Sequence, residues 1–443
     1  MGAKRGRTSN QLSLVSGNPV LKSSSVSVAS NEDLLIQILL YVPIKTLMGF
    51  KSVSKQWLSL ITNPHFVRLR NPLPSAASLF FASSLCRSNP DYQFIPIDVN
   101  GRSPTPFKTL DFVHDPLGSG ISVLQSCNGL LLCASYRARE SKRRYYVYNP
   151  TTKQFAILPQ IRREYAKDVC GMSLAFDPIK SLHYKVVCVR RSEMIRQLFQ
   201  IEIYSSETLL WRISGQPFAA SMGTQFQFCT YWNGSIHWWG DSANRWNWYT
   251  HMSFYRKVLY RLYFKVDEER LEQLPMPMRH IVLDELNVQE NEKPCFAASY
   301  IGESEGHWHI VEEVPKFRPN SYFTFLLKVY ELARDYSGWF VKYEVDLNAI
   351  ASVVPEIIKH RYNRCSGYTL NILSLVRSVK EEEDCSFLVV EIPGGKVVRY
   401  NFVDQSVEKL WEFTPIGYKF YDEDGLRRDC VSAFPYIESL ACV

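Results

Sequence analysis

At 443 residues the chain is too long for one small domain, and a prior of about 150 residues per domain suggests two or three. Its content of 46% hydrophobic and 14% aromatic residues is enough for a large core and excludes broad disorder. The net charge of +7 does not mark a nucleic-acid binder: Lys4, Arg5, Arg7 and Lys22 stand in an acid-free first stretch, and without them only +3 is spread over the rest. The eleven cysteines are odd in number and form no Cys-x-x-Cys, and no apolar leader precedes them. That pattern points to a reducing compartment with free, mostly buried thiols. No run approaches the roughly 18 apolar residues of a membrane span, so no membrane role is expected.

Residues 1–29 are rich in Ser, Asn and Gly and read as a disordered tail. Lys4, Arg5 and Arg7 read as a solvated tail or a short nuclear-import signal, so the expected location is nucleus or cytoplasm. Residues 30–70 are the strongly helical stretch. Asp33 to Val42 places Leu34, Leu35, Ile36, Ile38, Leu39, Leu40 and Tyr41 nearly all round a helix, which must then bury more than one face. Ser30 or Asn31 caps it. Pro43 suits the first turn of a second helix with Ile44, Leu47, Met48 and Phe50 inward, and Gly49 costs that helix about 1 kcal/mol against Ala. A third helix carries Trp57, Leu58, Leu60 and Ile61 and ends at Asn63-Pro64. So small a bundle cannot cover all this apolar surface by itself. One face should pack internally and another should meet a partner protein.

The residues Glu32-Asp33-Leu34-Leu35, Ile38-Leu39, Val42-Pro43-Ile44-Lys45-Thr46-Leu47, Phe50-Lys51-Ser52-Val53-Ser54-Lys55, Trp57, Leu60-Ile61 and Pro64-His65-Phe66-Val67 closely resemble an F-box, especially that of plant F-box proteins. The place where that family usually carries Leu-Pro holds Ser30-Asn31. The resemblance implies docking on the Skp-type adaptor of a cullin–RING ubiquitin ligase. Asp33, Leu34, Ile38, Pro43, Ile44 and Leu47 are the implied adaptor contacts.

Residues 71–77, NPLPSAA, form a Pro-rich linker. From Ser78 to Val443 short apolar runs alternate with turns. A strand–turn–strand unit recurs most clearly as YYVYNPTTKQFAILP, Tyr145 to Pro159. Weaker copies lie at Phe199–Ser214, Leu259–Pro275, Thr324–Val345 and Val397–Phe413, with Tyr92–Phe112 as a first copy. A further strand precedes several copies: Cys127–Ser135 and Tyr231–Gly240, each opened by Asn-Gly, and Ser386–Ile392. Four-strand units repeated about six times predict a β-propeller. The fold class is thus α+β multidomain: a three-helix module, then an all-β, propeller-like domain. Trp211, Trp339 and Trp411 take like positions in three copies and should be buried. The Asn-Gly-Leu-Leu-Leu strand, YNPTTKQFAILP and SAFPYIESL resemble the F-box-associated domain of the same plant proteins.

Few residues suggest chemistry. Gly302-Glu303-Ser304-Glu305-Gly306 has the Gly-x-Ser-x-Gly pattern of a nucleophile elbow, but the segments on either side read as strands where a helix must follow. It reads as an acidic hairpin turn. His307 and His309 lack the third ligand a zinc site needs, and read as exposed strand histidines. Arg137, Arg139, Lys142, Arg143 and Arg144 form a basic hairpin loop, solvated or facing an acidic partner. Trp232, Trp238, Trp239, Trp246 and Trp248 cluster densely. Arg245, Trp246 and Trp248 in a polar insertion are candidates for target binding, because Trp and Arg favour interface hot spots. No phosphate loop, acid–base pair, metal set or cofactor site stands out. The expected function is a non-catalytic receptor that docks on the adaptor, and through it on cullin and RING subunits, and holds a target protein for ubiquitination. The alternative is a carbohydrate- or small-ligand-binding propeller whose F-box is unused.

Overall fold

The computed structural model describes residues 2, 31–70, 78–82, 90–97, 106–113, 120–135, 143–161, 169–193, 195, 197–220, 224–240, 260–277, 298–316, 324–360, 366–378, 384–413 and 433–443. The chain divides into two units, Met1–Phe66 and Val67–Val443. Residues 71–77, expected as the linker, lie outside the described residues.

The helical stretch forms four helices rather than three: α1 (Glu32–Leu40), α2 (Ile44–Phe50), α3 (Lys55–Thr62) and α4 (Pro64–Arg70). The extra helix has a local cause. Asn63 ends α3 in an extended conformation, and its side chain accepts the His65 N–H at 2.8 Å. Pro64 then occupies a first helical turn, where its missing N–H costs nothing. The unit boundary falls inside this helix. Leu35, Leu39, Ile44, Leu47, Leu60, Ile61 and Phe66 are buried. Met48 and Phe50 are only half-buried, and the Phe50 ring meets Trp57 edge-on at 5.0 Å.

The second unit is a six-bladed β-propeller. Blade I contains β3 (Ile121–Cys127), β4 (Leu130–Ser135), β5 (Tyr145–Asn149) and β6 (Gln154–Ile157). Blade II contains β7 (Val169–Ala175), β8 (Lys185–Arg191), β9 (Phe199–Ser205) and β10 (Leu210–Phe218). Blade III contains β11 (Thr224–Trp232), β12 (Ser235–Gly240), β13 (Tyr260–Lys265) and β14 (Arg270–Pro275). Blade IV contains β15 (Ala298–Ser304), β16 (His307–Lys316), β17 (Thr324–Leu332) and β18 (Trp339–Asp346). Blade V contains β21 (Asn371–Val376), β22 (Phe387–Ile392), β23 (Lys396–Asn401) and β24 (Val407–Glu412). Between blades IV and V lie α5 (Leu347–Val353) and the small hairpin β19 (Ile358–His360) and β20 (Ser366–Tyr368).

Blade VI closes the ring. Its strands are β1 (Ser78–Ala82), β2 (Tyr92–Pro96) and the C-terminal β25 (Phe434–Tyr436), in the order β2-β1-β25. Ser78 pairs with Tyr436 and Phe80 with Phe434. The segment Tyr92–Phe112 is therefore not a copy of the strand–turn–strand unit. β2 pairs with β1, and among the described residues 106–113 form no strand, although Lys108 accepts the Tyr92 N–H at 2.7 Å. The other five copies are the third and fourth strands of blades I to V.

The first strands β25, β3, β7, β11, β15 and β21 surround the axis, and in that order each touches the next across a blade boundary. In each of blades I to V, the pairing of first and second strand carries a register shift. Such a bulge bends the strand and sharpens its twist. Cores lie between blades: Leu132, Val147, Leu174 and Val186 join blades I and II, and Val189, Ile201, Ile236 and Phe264 join II and III. The described cysteines are all free, but only Cys127, Cys133 and Cys188 are buried, and Cys385 and Cys442 are exposed.

The tryptophan expectation fails in an informative way. Trp211 and Trp339 are half-buried and Trp411 is 38% exposed. All three lie on the outermost strand of their blades. Trp211 and Trp339 stand at its start, and each indole N–H donates to a proline carbonyl at the end of the preceding blade: Pro159, two residues past β6, at 2.9 Å and Pro275, the last residue of β14, at 2.8 Å. Trp411 stands near the end of β24, so the three positions are not equivalent.

Candidate docking face and recognition scaffold

On α1, Leu35 and Leu39 point inward, while Leu34, Ile38 and Tyr41 are 44%, 50% and 91% exposed. Spacings of four and three residues put the last three on one stripe. Asn31 is the N-cap, and its side-chain oxygen accepts from Asp33 N–H at 3.1 Å and Leu34 N–H at 3.3 Å. Glu32 and Asp33 also suit the positive end of the helix. Pro43 precedes α2, and its carbonyl accepts from Leu47 N–H at 3.0 Å. Asp33, Leu34, Ile38 and Pro43 are exposed, as a docking surface requires. Ile44 and Leu47 are not: both are buried, Leu47 completely. Expected as partner contacts, they hold the bundle instead.

The propeller has two unlike ends. At one, the turn end, first strands pass to second and third to fourth. Asn128-Gly129, Asn233-Gly234 and Glu305-Gly306 all have positive φ at both residues, the geometry that joins twisted strands by two residues. The asparagines also stitch blades together. Asn128 Nδ2 donates to Phe176 O at 2.7 Å, and Asn233 Nδ2 to Arg334 O at 2.8 Å. The C-terminal tail crosses blade I at this end. Asn149 Nδ2 donates to Ser439 O and Ala441 O at 3.1 and 2.7 Å, and Ser126 Oγ to Pro435 O at 2.7 Å. Gly129 is required beneath it, since a Cβ there would overlap Ser439.

Ser304 ends β15 and His307 opens β16, so the Gly-x-Ser-x-Gly stretch is a hairpin, with the Ser304 hydroxyl accepting Arg377 N–H at 2.9 Å. Glu303 caps the same turn by accepting Gly306 N–H at 2.7 Å, and burial pushes its carboxyl up to about 7. His307 and His309 are not an exposed pair. His309 is fully buried, opposite Glu331 in the sheet, and His307 is half-buried with Nδ1 2.7 Å from Glu331. Burial would raise the Glu331 carboxyl, but His307, His309 and Arg377 together hold it well below the carboxylate range. The cluster ties blade IV to blade V. No group of three or more His, Cys, Asp or Glu among the described residues is placed to hold a metal.

Comparison with known proteins identifies both units. Residues 31–69 match the F-box domain, and residues 97–307 match the F-box associated beta propeller domain. F-box protein At5g07610 of Arabidopsis thaliana is 34% identical over 436 residues, covering 95% of this chain and 94% of that one. The chain is a plant F-box protein with an F-box-associated domain. F-box protein At5g49610 of the same plant is 35% identical over 131 residues, 30% of this chain and 33% of that one. Among solved structures, a hypothetical selenium-binding protein from Sulfolobus tokodaii is similar with a TM-score of 0.38 and 10% identity, covering 83% of this chain and 80% of that one.

In this F-box protein, the residues proposed for target contact, Arg245, Trp246 and Trp248, lie outside the described residues, as do Arg137, Arg139 and Lys142. Two other members of the tryptophan cluster are core. Trp232 and Trp238 are buried, and their indole N–H groups donate to Gly306 O at 2.9 Å and Ser173 Oγ at 3.2 Å. Trp238 packs against Phe226 and Phe264 between blades II and III, while Trp232 joins an aromatic seam in which His237 stacks on Trp308 at 4.2 Å. Burial pulls the His237 pKa down to about 3, so the ring is neutral, and it shares a hydrogen bond with Tyr336 at 3.1 Å. Sequence reading missed this seam because its members come from blades III and IV.

Proposed function

We propose that this F-box protein is the substrate-recognition subunit of a Skp–cullin–F-box ubiquitin ligase. The helical unit docks on the Skp-type adaptor, and through it on the cullin and RING subunits. The propeller holds a target protein near the ubiquitin-loaded enzyme. The contribution is non-catalytic: holding the target raises the effective concentration of its acceptor lysine. What most supports this reading is the stripe of Leu34, Ile38 and Tyr41 on a matched F-box, apolar yet left in solvent beside a satisfied interior. Arg245, Trp246 and Trp248 remain the proposed target contacts.

Titration of purified adaptor against the full chain tests it. Truncating Leu34 and Ile38 together to Ala should weaken adaptor binding roughly thirtyfold or more, since even one interface anchor commonly costs about 2 kcal/mol. Melting should change little, because both side chains face solvent. Leu47→Ala is the contrasting variant and should lower the melting temperature of the F-box. Wild-type protein that fails to bind adaptor would sink the proposal.

A further inference from the structure

The fourth strand of blades I to V ends its sheet, so one edge of β6, β10, β14, β18 and β24 has no partner strand among the described residues. A free edge invites another strand, and proteins blunt it with shortness, charge or proline. β6 is only four residues long, and β14 carries Arg270 and Glu272 and ends at Pro275. β18 carries Lys342, Glu344 and Asp346, and β24 carries Glu408, Lys409 and Glu412. β10 is the exception. It is nine residues long, and its one charged residue, Arg212, is answered by Glu269 in a two-pronged pair. Its proline and its register shift lie in the second half, and Leu210 to Ser214 pair with β9 without interruption.

The turn into β10 departs from its counterparts as well. Blades I, II, III and V place a residue of positive φ at the same point between third and fourth strand: Lys153, Leu209, Glu269 and Gln405. In blades I, III and V this residue and the next, Gln154, Arg270 and Ser406, are polar. In blade II both are leucine, and Leu209 and Leu210 are 62% and 68% exposed. A bulky side chain in the left-handed region is uncommon, and here it is also left in water. Ile213 is 60% exposed. Side chains alternate along a strand. Trp211 turns to Pro159 of blade I and Arg212 to Glu269 of blade III, so Ile213 and Leu210 put an aliphatic group on each side of the edge. Between them, every second residue of an antiparallel strand turns its N–H and C=O away from its partner. Glu207, in the same turn, is exposed, and its carboxylate has no cation among the described residues. The neighbouring Lys185 is held by Asp267 at 2.8 Å.

We propose that the first half of β10 receives an extended segment of a partner protein by strand addition, the segment being aliphatic at alternate residues and basic at the end that reaches Glu207. The backbone edge calls for a strand, Leu210 and Ile213 for aliphatic neighbours, and Glu207 for a cation. A second copy of this chain fits less well, because the only cation of β10 is already held by Glu269 and cannot answer the other copy's Glu207. Such docking would hold whether or not the helical unit binds adaptor.

The test is fluorescence anisotropy of a labelled heptapeptide, Lys-Val-Thr-Val-Thr-Val-Thr, against the full chain. Wild type should bind it saturably, and Leu210→Lys with Ile213→Lys should weaken binding by about tenfold or more. Glu207→Lys should weaken it less and flatten its salt dependence. Two versions of the peptide, N-methylated at one or the other alternate set of residues, keep the side chains, and the one that loses the donors facing β10 should not bind. Phe340→Lys with Val341→Lys, at exposed apolar positions of β18, should leave binding unchanged. If the lysines in β10 lower the melting temperature, Leu210→Thr with Ile213→Thr replaces them with the same expectation. The proposal is overturned by a wild type that does not bind, by a double β10 variant that binds like wild type, or by an equal loss in the β18 variant. Equal binding of both N-methylated peptides overturns it too, since apolar contact without strand pairing would suffice. Sedimentation of the chain alone decides the other occupant: a dimer that comes apart in the β10 variant would give the edge to a second copy and overturn the proposal.

Discussion

Asn31 shows how one residue settles a local question. Its side chain satisfies two backbone donors at the start of α1. Asn31→Ala should therefore cost about 1 kcal/mol of stability in a thermal melt. Asn31→Pro would lose the same cap. Glu303 gives a pH test. Its folded pKa, raised to about 7, lies above its ordinary value, so the folded protein binds the extra proton. Stability from this group is highest at acid pH and falls as pH rises through 7. Glu303→Gln keeps an acceptor for Gly306 and removes the charge. It should raise the melting temperature at pH 8 more than at pH 5, and an equal shift at both would contradict the assignment. His237 has the opposite sign: a ring whose pKa is held down to about 3 loses stability as pH falls below the ordinary imidazole range.

Single elements carry two further tests. Gly49 lies inside α2 with open space where a Cβ would go, so Gly49→Ala should stabilise the helical unit by about 1 kcal/mol. Trp211→Phe and Trp339→Phe each remove one indole N–H from a proline carbonyl and should cost about 1 kcal/mol apiece. Trp411→Phe should be neutral. These tryptophans mark the limit of what the sequence made legible. The alternation of apolar residues and the Asn-Gly turns exposed the strands, because side-chain period and turn chemistry are local. The same locality made three tryptophans look equivalent. Burial depends on the neighbouring blade, and Pro159 lies far from Trp211 in sequence. The α1 stripe was legible for the same reason that Leu47 was misplaced. Apolar excess can be counted on a helix, but which face turns inward is decided by the other helices. His309 and Glu331 met only when β16 and β17 paired.

At the scale of the whole molecule, the ring depends on its last residues. β25 supplies the first strand of blade VI, and the tail beyond it fills two acceptor positions for Asn149 and buries Leu440. Deleting 437–443 should destabilise the propeller by roughly 4–9 kcal/mol, from buried Ile437 and Leu440 and the orphaned Asn149 amide. Thermal melting and limited proteolysis would report it. Gly129→Ala should push the same tail off blade I and reproduce part of the loss.

The pairing of β1 with β25 also sets a clock. Ser78 must wait for Tyr436, roughly 360 residues later, and synthesis at about 5–20 residues per second takes about 20–70 s to deliver it. The helices of the F-box, closed by contacts between near neighbours, are complete almost from the start of that interval. Throughout that interval each nascent chain carries a finished helical unit and an open ring, exposed at the unpaired edge of β1 to wrong strands.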